Sequence, residues 1–320
     1  MFSPDDHRYM AQALRLAERG LYTTTPNPRV GCVIVSEGSV IGQGWHERAG
    51  MPHAEINALK TAGKNARGAT AYITLEPCNH YGQTGPCSDA LIESGLKRVV
   101  AAMRDPNPLV DGGGLEKLAQ AGIQAEYGIM ENEARELNIG FISRVVRARP
   151  WTRVKIAASL DGKTALNNGH SRWISGEPAR QDAHRWRARS CAVLTGIGTI
   201  KDDDPQLTVR HVETPRQPLR VVVDSRLEID PKARALQGGA LVFCAVDDKT
   251  KIAKLMDVGV KVMVVPNPEG KVELPKMMEA LAKLGMNEVL VEGGFRLNGS
   301  LLKAGLVDEL LLYLAPHLLG

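Results

Sequence analysis

At 320 residues, 43% of them hydrophobic and 24% charged, the chain has the make-up of an ordinary globular protein with material for about two domains. The 40 basic and 36 acidic residues leave a formal charge of +4, and only 4% of residues are aromatic, which argues against a dedicated nucleic-acid binder and suits a small phosphorylated ligand. Asp5 and Asp6 stand where a signal peptide would carry positive charge, no long apolar run follows, and five cysteines make no disulfide framework, so a cytoplasmic protein without a membrane partner is expected.

In chain order, Ser3 reads as a helix cap, Pro4 as the first helical residue, and Met10, Ala13, Leu14 and Ala17 as one apolar face ending near Gly20. Segments 30–35 and 39–45 read as strands around an "SEGS" turn, and 69–75 and 98–103 as two more. Helical patterns lie at 53–62, 87–94 and 114–121, followed by a strand at 123–128 and a helix at 131–141. The alternation predicts a three-layer α/β domain with a largely parallel sheet over residues 1–146. A basic segment interrupted by Pro150 marks the boundary. Strand patterns then restart in "TRVKIAASL", "CAVLTG", "LRVVVD", "ALVFCAV", "VKVMVV", "EVLVEGG" and "VDELLLYLAP", giving a second α/β domain over 151–320 whose last strand runs almost to Gly320, as though shortened at its C-terminal end.

His53, Cys78 and Cys87 stand out chemically. Thiolates and imidazole are the preferred zinc ligands, and three of them leave a fourth position for water. "PHAEINAL" and "GPCSDAL" both read as helix starts, whose partial positive charge favours a thiolate. In a first helical turn, Glu55 can curl toward the point that His53 faces, as a proton carrier and not a ligand. A structural zinc site is the bland alternative, and a nucleic-acid-editing deaminase is a second, since such enzymes use the same pocket type. Cys32, Cys191 and Cys244 read as buried strand residues. "DGGG" at 111–114 reads equally as a phosphate cradle or a plain loop.

The motifs "TPNPRVGCVIV", "AGMPHAEINAL", "TLEPCNHYGQTGPC" and "DPNPLVDGGG" resemble the deaminase half of the bifunctional riboflavin-biosynthesis deaminase-reductases. "KIAASLDGKTA", "SRWISG", "RARSCAVLTGIGTIKDDDPQLTVR", "VVVDS" and "VEGG" resemble the reductase half, in the same order. The resemblance implies a cytidine-deaminase-like domain followed by a dihydrofolate-reductase-like domain. The first would hydrolyse an amino group from a phosphoribosylated diaminopyrimidinone with one zinc ion. The second would reduce the ribose of the product with NADPH, and the enzyme would assemble as a dimer or larger.

By the same resemblance, Asn27, His80, Asp105 and Asn107 hold the deaminase substrate, with Gln83 departing from an expected basic residue. Ala157, Trp173, Thr199, Asp203 and Ser225 match cofactor positions, and Ser171, Arg187, Leu207, Arg210 and Glu292 match substrate positions. Arg187 and Arg210 can in principle clamp a phosphate bidentately. The stretch Gly294, Phe295, Arg296, Leu297, Asn298, Gly299 and Ser300 places glycines between a strand and a helix start, where free amides can receive the cofactor's phosphate. Lys155 or Glu292 is the candidate to assist hydride transfer, while Asp161 before Gly162 reads as a turn. "TGIGTIKDDD" fails the dinucleotide fingerprint because Lys201 occupies its last glycine position, so the second domain is not a standard dinucleotide fold.

Overall fold

Ser3 caps the first helix reciprocally: its hydroxyl accepts from the Asp6 amide at 3.1 Å and its own amide donates to Asp6 Oδ2 at 2.8 Å, fixing the start of α1 (Pro4–Glu18). The computed structural model describes residues 1–81, 85–108, 110, 112–166 and 175–319. The chain divides into two compact units, Met1–Arg147 and Ala148–Gly320.

The first unit holds a five-stranded sheet in the order β2-β1-β3-β4-β5, built from β1 (Gly31–Ser36), β2 (Ser39–Trp45), β3 (Thr70–Ile73), β4 (Arg98–Ala101) and β5 (Gln124–Tyr127). It is mixed and not largely parallel: β1 runs antiparallel to both β2 and β3, and only β3, β4 and β5 are mutually parallel. The reason lies in Glu37 and Gly38, both at positive φ, which form a two-residue turn, and so short a turn can join only antiparallel strands. α1 lies on one face of β1. α2 (Ala54–Ala62) lies on the other, close against β2, because Gly42 and Gly44 have no side chain: a Cβ on Gly44 would come within 2.6 Å of the Ala54 carbonyl. α3 (Cys87–Glu93) and α4 (Gly113–Gln120) follow in contact with one another.

The helix expected over 131–141 is two helices, α5 (Glu131–Leu137) and α6 (Ile139–Arg147). Asn138 breaks it. Its buried side chain grips the Arg29 backbone from both sides, with Oδ1 accepting from the amide at 2.8 Å and Nδ2 donating to the carbonyl at 2.9 Å.

The second unit is a seven-stranded sheet, parallel throughout, in the order β10-β9-β8-β7-β11-β6-β12. Its strands are β6 (Trp151–Ser159), β7 (Ala192–Gly196), β8 (Leu219–Val223), β9 (Leu241–Cys244), β10 (Lys261–Val264), β11 (Glu288–Val291) and β12 (Glu309–Ala315). The helices are α7 (Glu177–Arg189), α8 (Ile197–Asp203), α9 (Lys249–Asp257), α10 (Leu274–Lys283) and α11 (Phe295–Lys303). β11 enters late in the chain between β6 and β7, so the strand order reverses there, and the carboxyl ends of these strands are where an open α/β sheet takes its ligand. Cys32 and Cys244 are buried strand residues, and Cys191 is buried one residue before β7.

Candidate active sites

His53 is the N-cap of α2, and Cys87 is the first residue of α3, with Pro86 as its cap. Cys78 lies on the loop between β3 and α3, its sulfur taking the Cys87 amide at 3.4 Å. His53 Nδ1 stands 3.2 Å from Cys87 Sγ and 3.6 Å from Cys78 Sγ, and the three ligand atoms lie within 4.8 Å of one another. Bonds of about 2.3 Å to sulfur and about 2.0 Å to nitrogen at tetrahedral angles set sulfur and nitrogen roughly 3.5 Å apart, so the cluster has the dimensions of a zinc site.

Its electrostatics agree. The hydrogen bond from Cys87, and then His53, bring the Cys78 thiol down to about 4, while the Cys78 sulfur and burial push Cys87 far up. Cys78 is thus favoured as a thiolate accepting from the Cys87 thiol, and a cation between the two sulfurs would favour ionisation of both. The donor set fits zinc.

Glu55, two residues on, is 3% exposed, and its Oε2 has no hydrogen-bond partner among the described residues. Burial raises its carboxyl to about 7, against the pull of His53. Such a carboxyl can both accept and donate a proton near neutral pH.

Around this centre, Asn27 follows the cis Thr25–Pro26 peptide and donates from Nδ2 to His46 Nε2 at 3.0 Å, while His46 Nδ1 donates to the Pro52 carbonyl at 3.2 Å. These two bonds fix the neutral tautomer of His46, whose pKa burial lowers, and the ring stands edge-on to His53 with centroids 5.3 Å apart. Sequence reading missed His46. The only signal was its place just after β2 and seven residues before the metal histidine.

Asp105 is buried, its carboxyl raised by burial to about 6, and Oδ1 accepts from the Asn107 amide at 2.9 Å, so these two predicted residues share one turn. His80 is exposed. Gln83 and Asp111 lie outside the described residues. The remaining "DGGG" amides are no phosphate cradle: Gly112 and Gly114, with Leu115 after them, donate to the Glu76 carboxylate, and Gly113 donates to the Val110 carbonyl at 2.7 Å.

In the second unit, Lys155 and Ala157 lie on β6, Thr199 and Asp203 on α8, and Ser225 just after β8, where its hydroxyl accepts from the Val272 amide at 3.2 Å. Thr199 Oγ1 accepts from the Gly294 amide at 3.1 Å, bringing together two positions far apart in sequence. Gly294 caps α11 without side-chain help, so the first-turn amides of Phe295, Arg296 and Leu297 precede the helix's own bonding. Leu297 packs against Gly196, and Asn298 Nδ2 returns to the Gly293 carbonyl at 3.0 Å, while Gly299 and Ser300 continue along exposed helix.

Arg187 pairs with Glu292 at two points, and Nη1 donates to the Thr208 carbonyl at 2.9 Å. Arg210 is exposed, its Nη1 held by Gln206 and Thr208 at 3.1 Å each. Its amide donates to His184 Nδ1 at 3.1 Å, and burial with the nearby arginine charges lowers His184 to about 4, keeping that acceptor neutral. Leu207 is buried at positive φ in the same segment. Ser171 and Trp173 lie outside the described residues. No helix among the described residues is long and apolar enough to cross a membrane.

Residues 150–320 match the RibD C-terminal domain, and residues 3–103 match the cytidine and deoxycytidylate deaminase zinc-binding region. Riboflavin biosynthesis protein RibD of Escherichia coli is 47% identical over 98% of this chain and 89% of its own length. The chain belongs to the RibD family. Among solved structures, Acinetobacter baumannii RibD superposes with a TM-score of 0.91 at 45% identity, covering 99% of this chain and 88% of that one. A deaminase/reductase from Thermotoga maritima gives 0.86 at 35% identity, again over 99% and 88%. As a RibD protein, the chain is a bifunctional riboflavin-biosynthesis enzyme, with a cytidine-deaminase-like domain before a reductase domain. Zinc and NADPH are its cofactors, and the His53, Cys78 and Cys87 cluster lies within the zinc-binding match.

Proposed function

We propose that the first domain hydrolyses the exocyclic 2-amino group of a phosphoribosylated diaminopyrimidinone, and that the second reduces the ribose of the resulting aminouracil to a ribityl chain. The observation that carries the first half is the placing of Glu55, a buried carboxyl with a free oxygen, two residues from His53 of the cluster. His53, Cys78 and Cys87 would hold zinc, which would supply Lewis acidity toward a water near neutral pH. Glu55 then takes the proton from that water and delivers it to a ring nitrogen. The remaining hydroxyl adds to the ring carbon, and Glu55 next carries that hydroxyl's proton to the departing amine, so that the carbon–nitrogen bond breaks, a carbonyl forms and ammonia leaves. Asn27, held by His46, and the Asp105–Asn107 turn are assigned to orient the pyrimidine, with His80 at the exposed side.

In the reductase, NADPH supplies the hydride. The first turn of α11 and Thr199 are assigned to the cofactor's phosphate, with Ala157, Asp203 and Ser225 along the same carboxyl edge of the sheet. The β11–β6 register sets Val291 against Val154, so Glu292 follows alongside Lys155, which supports assigning delivery of the accompanying proton to Lys155. Arg210 is the candidate for the substrate's phosphate. A cytoplasmic homodimer or larger assembly goes with this reading, and sedimentation tests the assembly.

The deciding experiment supplies the diaminopyrimidinone nucleotide and follows ammonia release and NADPH oxidation together. Both should appear, ammonia first. Neither appearing, with zinc bound and NADPH present, refutes the assignment.

A further inference from the structure

Glu76 is 3% exposed, and its carboxylate accepts four backbone amides from a single distant segment. Oε2 takes Asp105 at 3.1 Å and Gly112 at 3.0 Å, while Oε1 takes Gly114 at 3.0 Å and Leu115 at 3.2 Å. All four lone-pair directions of the carboxylate are thus filled. The bonds close a loop from Asp105, at the end of the strand region, to the opening of α4. Between them lies the turn that Asp105 Oδ1 makes with the Asn107 amide at 2.9 Å.

Glu76 is also two residues before Cys78, and the same stretch is tied to that loop twice more. Asn79 Nδ2 donates to the Gly113 carbonyl at 3.1 Å, with Ser88 fixing the Asn79 oxygen at 3.1 Å. Gly114 approaches so closely that a Cβ there would lie 2.0 Å from the Pro77 carbonyl.

We propose that Glu76 is a positioning residue for deamination: by gathering four amides of the 105–115 loop, it sets Asp105 and Asn107 at a fixed distance from the sulfur of Cys78, and so registers the substrate against the metal centre. This rests on reading Asp105 and Asn107 as substrate contacts. A glutamine would turn one end of the carboxylate into a donor facing two donors. An aspartate would keep the charge but withdraw it by one methylene, out of reach of the same amides.

The test measures steady-state deamination, zinc content and reductase turnover for Glu76→Gln and Glu76→Asp, alone and combined with Asn107→Ala. The expected result is a rise in the deaminase KM of about tenfold or more, the factor that goes with losing one charge-assisted hydrogen bond. The kcat should change less, zinc and reductase turnover should hold, and the effect should shrink in the Asn107→Ala background, since the two act on one contact. Glu76→Asp carries the test if the glutamine variant does not fold. An unmoved KM in a zinc-loaded variant overturns the proposal, as does loss of zinc, which would make Glu76 a support of the metal loop alone. If Asn107→Ala itself leaves KM unmoved, it is the reading of the substrate contacts that fails.

Discussion

Arg187 and Glu292 form a two-point ion pair between α7 and the end of β11, Nη2 donating to Oε2 at 2.8 Å and Nε to Oε1, with both side chains only 12% exposed. Burial alone would raise the Glu292 carboxyl, but the Arg187 charge more than reverses it and keeps the group ionised. The same guanidinium holds the Thr208 carbonyl, so the pair ties the segment carrying Leu207 and Arg210 to the strand edge. Replacing Glu292 with Gln leaves a mostly buried cation underpaired and should destabilise the second domain by about 3 kcal/mol. Denaturant unfolding checks this, and reductase KM should rise with deamination unaffected.

Replacement of Glu55 with Gln keeps the shape of the side chain and removes the proton carrier. Ammonia release should fall by about 100-fold to 10,000-fold, the usual range for a general acid–base group, while zinc content stays unchanged. Stripping zinc with a chelator should abolish ammonia release and leave NADPH oxidation on the deaminated substrate intact, because the cluster lies wholly in the first unit. Simultaneous loss of both activities would contradict separate sites.

Acid should weaken the first unit through Asp6. Burial alone would raise its carboxyl, yet Arg98, Tyr72 and the Ser3 amide together hold it below the usual carboxylate range. A folded pKa below the unfolded one means stability that is complete above about pH 5 and is lost as pH falls through about 4 and lower. Asp6→Asn should therefore cost about 1.5–3 kcal/mol at pH 7, with the gap to the parent protein narrowing between pH 5 and pH 2. Urea unfolding over that range reads it directly.

Gly31 and Gly38 make a contrast within one hairpin. A Cβ at Gly31 would sit 2.0 Å from the Ala13 carbonyl, so Gly31→Ala must push α1 off the sheet, at a cost of roughly 3 kcal/mol or more. At Gly38 the space is open and only the positive φ of 77° objects, worth about 1–2 kcal/mol. Thermal unfolding of the two variants should rank them in that order.

The His53, Cys78 and Cys87 cluster and most strand positions were legible from residue types and motif. His53 and Cys87 open helices because Pro52 and Pro86 precede them, and a histidine with two cysteines in polar surroundings has few other uses. The mixed pairing of the first sheet was only half legible, since the short turn announces β1 with β2 but nothing local says that β1 also lies antiparallel to β3. Asn138 gave no sign that it would interrupt a helix, because its partner is the Arg29 backbone 109 residues away.

The same holds for the polar groups that organise the sites. What the sequence alone determined was chemistry that depends on residue identity and short motifs: cap, strand, turn and ligand. Tertiary structure alone decided that Glu76 would bind amides of a distant loop, that His46 would hold Asn27, and that Arg187 would pair with Glu292. A buried charge or amide takes whatever partner the fold brings within about 3 Å, and that choice is made by packing across the chain and not by its neighbours in sequence.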